Sequence, residues 1–98
     1  MTHHAPGPWE TDRAARGGIE VCTRQGAMVC KVTQWRGPLG QTITEANAAL
    51  IAAAPDMLAA LQMHDALPAW PDREALINAM DATRAAIAKA LNTKAKEA

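Results

Sequence analysis

The sequence predicts an α+β domain: a small antiparallel sheet of two or three strands packed against two to three C-terminal helices. Three observations predict it. Residues 19–33 alternate apolar and polar side chains with a period of two. Residues 42–66 and 72–92 repeat apolar side chains at spacings of three and four. The chain is 98 residues long, which suits one core, whereas halves of it would be too small to fold unaided.

Residues 1–8 hold Gly7 between Pro6 and Pro8 and are expected to be extended or frayed. Trp9–Thr11 then reads as a short edge strand within a hairpin region over 9–36. In the segment IEVCTRQGAMVCKVT, physics selects the register. Pairing 23 with 28, 21 with 30 and 19 with 32 gathers Ile19, Val21, Met28, Cys30 and Val32 on one side. Glu20 and Lys31 then stand opposite each other on the other side. A one-residue slip buries Glu20 and Arg24 among apolar groups, at a cost of several kcal/mol. A two-residue turn at Gln25-Gly26 and a four-residue loop over 24–27 serve this parity equally. Cys22 and Cys30 fall on opposite faces, so a disulfide between them is excluded.

Thr42 and Glu45 have capping-box spacing for a helix over 42–66. Its expected inner stripe runs through Ile43, Ala46, Leu50, Ile51, Ala54, Met57, Leu58 and Leu61. Pro55 lacks an N–H and clashes with the carbonyl of Ile51, so the helix kinks or breaks at Ala54. Asp72 is the expected N-cap of a last helix over 72–92, with Leu76, Ile77, Met80, Thr83, Arg84, Ile87 and Leu91 as its inner stripe. Residues 93–98 should fray. All of 1–98 thus reads as a single domain.

Composition narrows the function. Twenty-three residues are Ala, Phe and Tyr are absent, and three Trp supply all the aromatic area. Formal net charge is zero, against the positive excess of proteins that coat nucleic acid. Residues 1–40 carry +2, residues 41–82 carry −5 and residues 83–98 carry +3. Helix-dipole complementarity and an acidic docking face both fit that distribution. No stretch approaches the ~20 apolar residues of a membrane span, and the N-terminus lacks the pattern of a secretory signal. Two Cys in such a chain are expected to stay reduced in a cytosol.

Gly7-Pro8-Trp9, a following hairpin and the string EANAALIAAAPDMLAAL at 45–61 resemble small accessory proteins of tailed bacteriophages and prophages. The likeness covers about the first two thirds of the chain; residues 62–98 carry none of it. Ala49 and Ala59 stand where that group often has Arg and Glu. The resemblance implies a phage or prophage origin and a bacterial cytoplasm, with no defined activity.

The sequence offers no familiar reactive constellation. Neither a P-loop nor GxGxxG, CxxC or HExxH occurs, and the chain has no Ser. Asp72 and Glu74 point apart on a helix. Cys22, Cys30 and His64 make no convincing zinc set, and His3 and His4 sit on the terminus. The expectation is a non-enzyme with no cofactor and no metal. Trp35 and Arg36, with Arg24 and Lys31, form a candidate interaction surface. Trp70, between Pro68 and Pro71, either plugs the helix ends or stands out as a binding anchor.

Three roles fit. The first is a phage accessory protein that binds a host or phage protein, as an inhibitor of a host defence or a takeover factor. The second is a small-ligand or nucleotide binder using a Trp stacked with an Arg. The third is a structural homo-oligomer held by the Ala-rich last helix. Membrane partners are not expected, and nucleic acid is disfavoured.

Overall fold

The computed structural model describes residues 4–14 and 17–91. The chain order is β1 (Trp9–Arg13), β2 (Ile19–Thr23), β3 (Met28–Val32), α1 (Gly40–Ala52), α2 (Ala54–Asp65) and α3 (Arg73–Ala90). The three strands form one antiparallel sheet in the order β1-β2-β3. The α+β expectation stands, with the full three strands. β1 runs two residues further than expected, to Arg13, opposite Ile19.

The hairpin keeps the predicted register where the core needs it. Ile19 pairs with Val32, Glu20 with Lys31 and Val21 with Cys30. Beyond Val21 the pairing shifts by one residue, so Cys22 faces Met28. The turn is the cause. Thr23 bonds Ala27 through N–H to carbonyl at 2.8 Å, and Gly26 adopts φ 93°. This is a three-residue loop ending in a left-handed glycine rather than a two- or four-residue loop, and it alone would invert the faces of β3. A bulge at Val29 absorbs the extra residue and restores the apolar register. Met28 is therefore corrected from the packed face to the surface, where it is 59% exposed, while Val29 packs against the core.

One face of the sheet is covered by α1. Ile19, Val21 and Val32 meet Ala48 and Ala52, with Trp9, Cys30 and Ile51 at the margin. Helix α1 starts two residues before the predicted cap. Its N-cap is Leu39 with no side-chain bond, so the Thr42–Glu45 box is not formed. Glu45 instead reaches Arg13 of β1 at 3.0 Å. Thr44 is fully buried, and its hydroxyl accepts the N–H of Trp35 and donates to the carbonyl of Gly40.

At Ala53 the helix breaks, and α2 departs at 42° with Pro55 in its first turn. Its direction leaves the sheet behind. Helix α3 then returns antiparallel along α2, tied by Lys89 to Asp56 at 2.8 Å and by His64 to Thr83 at 2.7 Å. Asp72 caps α3 as predicted, its Oδ1 accepting the Ala75 N–H at 2.7 Å. Asp72→Ala is expected to cost about 1 kcal/mol. Urea unfolding followed by circular dichroism checks it, and Asp72→Asn should recover most of the loss.

The side of α3 that packs is not the predicted one. Ala79 and Ala86 are buried and Ala75, Ala82 and Thr83 are half-buried, against Ala60 of α2. Leu76, Ile77, Met80, Arg84, Ile87 and Leu91 are exposed. On the preceding helices Ala46, Leu50, Leu58 and Leu61 are exposed as well, whereas Ile43, Ile51, Ala54 and Met57 are half-buried as the predicted stripe requires, Ile51 against the core. The stripes are real, but the fold buries their alanine flanks. Small side chains let backbones approach closely, so α2 and α3 mate through alanines and leave the larger groups outside. Nor does α3 cover the sheet, which among the described helices is packed by α1.

The radius of gyration is 15.7 Å, above the ~13 Å of a compact chain of this length, as a projecting helical hairpin requires. No single helix among the described residues is long and apolar enough to cross a membrane; α1 and α2 pass that test only as a bent pair. The predicted frayed tail over 93–98 lies outside the described residues.

Candidate functional site

The predicted surface residues occupy separate places. Trp35 and Arg36 lie in the loop entering α1, where the carbonyl of Trp35 faces Gly40 and its ring is 55% exposed. Trp70 follows α2 at the tip of the α2–α3 hairpin and is 93% exposed. The bent rod of α1 and α2 stands between them, 25 residues and so roughly 35 Å. Arg24 sits at the hairpin turn, 3.9 Å from Glu10. Lys31 points from the outer sheet face, opposite Glu20. The structure brings Trp35 and Arg36 to one end of the sheet but joins neither to Trp70. Plugging of the helix ends by Trp70 is ruled out by its exposure.

A different tryptophan meets cations. A cleft of about 260 Å³ is lined by Pro8, Trp9, Glu10, Thr11, Arg24, Ala49, Ala52 and Lys89. Five clefts among the described residues, this one included, are lined by neither Trp35 nor Trp70. Trp9 packs at the margin of the core, and its indole N–H donates to the carbonyl of Ala5 at 3.2 Å. The signal that was missed is tertiary. Arg24 follows β2, Lys89 ends α3, and the two come together only because α1 carries alanines at 49 and 52. Both cations are already engaged, Arg24 by Glu10 and Lys89 by Asp56. An anionic ligand must therefore displace a carboxylate.

Among the described residues, no helix lies over the outer face of the sheet. Glu10, Asp12, Glu20, Cys22 and Lys31 lie there by register. Both cysteines are free, Cys22 on this face and Cys30 against the core. Desolvation, then the Glu20 and Asp12 carboxylates, push the Cys22 thiol above its ordinary value. A raised thiol holds less thiolate at a given pH, which makes Cys22 a poor nucleophile. Its carbamidomethylation at pH 8, mapped by peptide mass, should run slower than that of glutathione. Glu20→Gln should accelerate it, because removing the negative charge lowers the pKa. An unchanged rate in that variant rejects the electrostatic account.

Among the described residues, no three His, Cys, Asp or Glu side chains converge as a metal site. His64 donates through Nε2 to the hydroxyl of Thr83, since that hydroxyl gives its own proton to the carbonyl of Ala79 at 3.0 Å. Its role is to link α2 to α3.

The N-terminal segment returns to the helices. Gly7 lies against Pro55 so closely that a Cβ on Gly7 would be 2.7 Å from the Cβ of Pro55. His4 and Trp9 share a cleft with Ala54, Pro55 and Leu58. The GPW string and the AAAP string are thus two halves of one contact. Residues 1–94 match the family model for Salmonella phage P22 protein Y8K6. The chain belongs to this phage protein family. It is a small phage accessory protein, and the family match extends through 62–94, beyond the strings that carry the resemblance. No match was found among curated proteins or among solved structures.

Proposed function

We propose that this phage accessory protein works without catalysis, by binding another protein in the bacterial cytoplasm. The bound protein is a host factor, and the effect is inhibition of a host defence or redirection of a host process. Trp70 carries the reading. A tryptophan 93% exposed at a hairpin tip is large, apolar and uncovered, and Pro68 and Pro71 limit the backbone freedom lost when it docks. Tryptophans of this kind are the commonest interface anchors. The raised Cys22 thiol and the engaged cations of the Trp9 cleft support a binding role over a chemical one.

Capture from host lysate with tagged wild type and tagged Trp70→Ala tests this reading. A host protein retained by wild type and reduced at least tenfold by Trp70→Ala is the expected result. Because Trp70 packs on little, the variant should keep its fold. Equal recovery with both baits overturns the assignment of Trp70 as the anchor.

A second reading is favoured by the cleft of Trp9, Arg24 and Lys89, whose aromatic ring and two cations suit a small anionic ligand such as a nucleotide. Titration of a nucleotide panel against tryptophan fluorescence separates the two. Quenching that is lost in Arg24→Ala favours the cleft.

A further inference from the structure

We infer that the open side of the α2–α3 hairpin is covered by a second copy of the same chain, giving a two-fold four-helix bundle. The apolar stripe of α3 runs through Leu76, Met80 and Ile87 to Leu91, at spacings that keep one side of a helix. Leu61 continues it on α2. The two helices present these groups on the same side of the hairpin, since Leu61 and Ile87 line one cleft of about 190 Å³ together with Met57, Ala60, Thr83 and Ala86.

The area fits a dimer. Leu61 is 66% and Leu91 68% exposed, and the five stripe residues leave roughly 500 Å² open to water. That lies near the upper end for the largest patch on a typical monomer and most of the way to the ~800 Å² per partner of a standard interface. The flanking backbone and Ile77 supply the remainder.

Charge selects the occupant. The stripe includes Asp65 on α2 and Arg84 on α3, and neither is in an ion pair among the described residues. Within one chain, Asp56 lies beside Lys89 and His64 beside Thr83, which places Asp65 near the level of residue 81. A two-fold axis parallel to the helices sets each α3 on the partner's α2. Asp65 of one copy then lies about three residues, some 4.5 Å, along the axis from Arg84 of the other. Symmetry makes the pair twice. A nucleic acid or an anionic membrane would leave Asp65 facing negative charge, so the balanced rim favours a self-complementary partner. The alanine side of α3 is occupied by α2. Self-association therefore runs through the larger side chains and not through the alanines.

This inference is separate from the Trp70 reading: a monomer leaves host capture intact, and a failed capture leaves the dimer intact. Sedimentation equilibrium of the full chain from 1 to 100 µM is expected to give twice the 10.4 kDa protomer mass. Ile87→Asp and, separately, Leu61→Asp should weaken the dimer at least 100-fold while circular dichroism stays unchanged, because both side chains are exposed in the monomer. Arg84→Asp should weaken it about tenfold, and Arg84→Asp with Asp65→Arg should restore it without relying on any buried change. A wild type that is monomeric at 100 µM overturns the inference, whether it remains alone or binds phosphatidylcholine vesicles. A dimer indifferent to both apolar variants and to the charge swap overturns it equally.

Discussion

Replacing Gly40 by alanine is expected to remove about 3 kcal/mol of stability, the upper range for overpacking a rigid site. Gly40 is buried in the first turn of α1, and a Cβ there would overlap the carbonyl oxygen of Trp35 and lie 2.9 Å from its carbonyl carbon. Neither neighbour is a flexible side-chain end. The clash is with backbone, and that backbone is held from the other side by the bond from the Trp35 N–H to Thr44 at 2.9 Å. Relief requires moving the β3–α1 loop or withdrawing α1 from the sheet. Helix propensity works in the opposite direction, since alanine is better than glycine by about 1 kcal/mol in a helix interior, so the steric effect is measured against that gain. A domain of this size should lose on the order of 15 °C in Tm. Urea and thermal unfolding of the two proteins decide the matter. Gly40→Ala with wild-type stability would mean that α1 docks without the close approach of Gly40 to Trp35.

Thr44→Val is the second large effect, expected at about 2 kcal/mol. The two side chains have nearly the same shape, so packing against the sheet is kept. What goes is one hydroxyl that serves two backbone groups: it accepts from the Trp35 N–H and donates to the Gly40 carbonyl at 2.7 Å. Valine leaves the N–H of Trp35 without that acceptor in a part-buried place, and an unmatched donor costs more than a bond gains. Thr44→Ser keeps the hydroxyl and should lose less, mainly the buried methyl, about 1 kcal/mol. If valine proves as stable as serine or more so, the hydroxyl bridge contributes nothing. Thr44 and Gly40 share that bridge, so the double variant should fall short of the sum of the two losses.

Both predictions concern the loop that carries Trp35 and Arg36, which connects stability to the candidate surface. The capping-box spacing of Thr42 and Glu45 is visible in the sequence, yet the side chain that matters is Thr44. Nothing local distinguishes one threonine from the other. The distinction appears only when α1 begins at Gly40 and lies on the sheet, which turns Thr44 inward and leaves Thr42 exposed. Glu45 then finds Arg13, 32 residues away in the chain.

A small antiparallel sheet followed by helices, the pairing of 19 with 32 and 21 with 30, the opposite faces of Cys22 and Cys30, an interruption of the helix beside Pro55 and the cap at Asp72 were all contained in the order of residues; the third strand, and a break rather than a kink, were left open by it. Each depends on neighbours within a few positions or on a period of two, and short-range sterics and hydrogen bonding decide such features before any packing occurs. Folding alone settled the bulge at Val29, the cleft of Trp9 with Arg24 and Lys89, the contact of Gly7 with Pro55, and the side of α3 that goes inward. A repeat of three and four measures how one-sided a helix is; it does not say what that side meets. In this protein alanine allowed α2 and α3 to approach closely, and the leucines, isoleucines and methionines of the stripe were left facing outward.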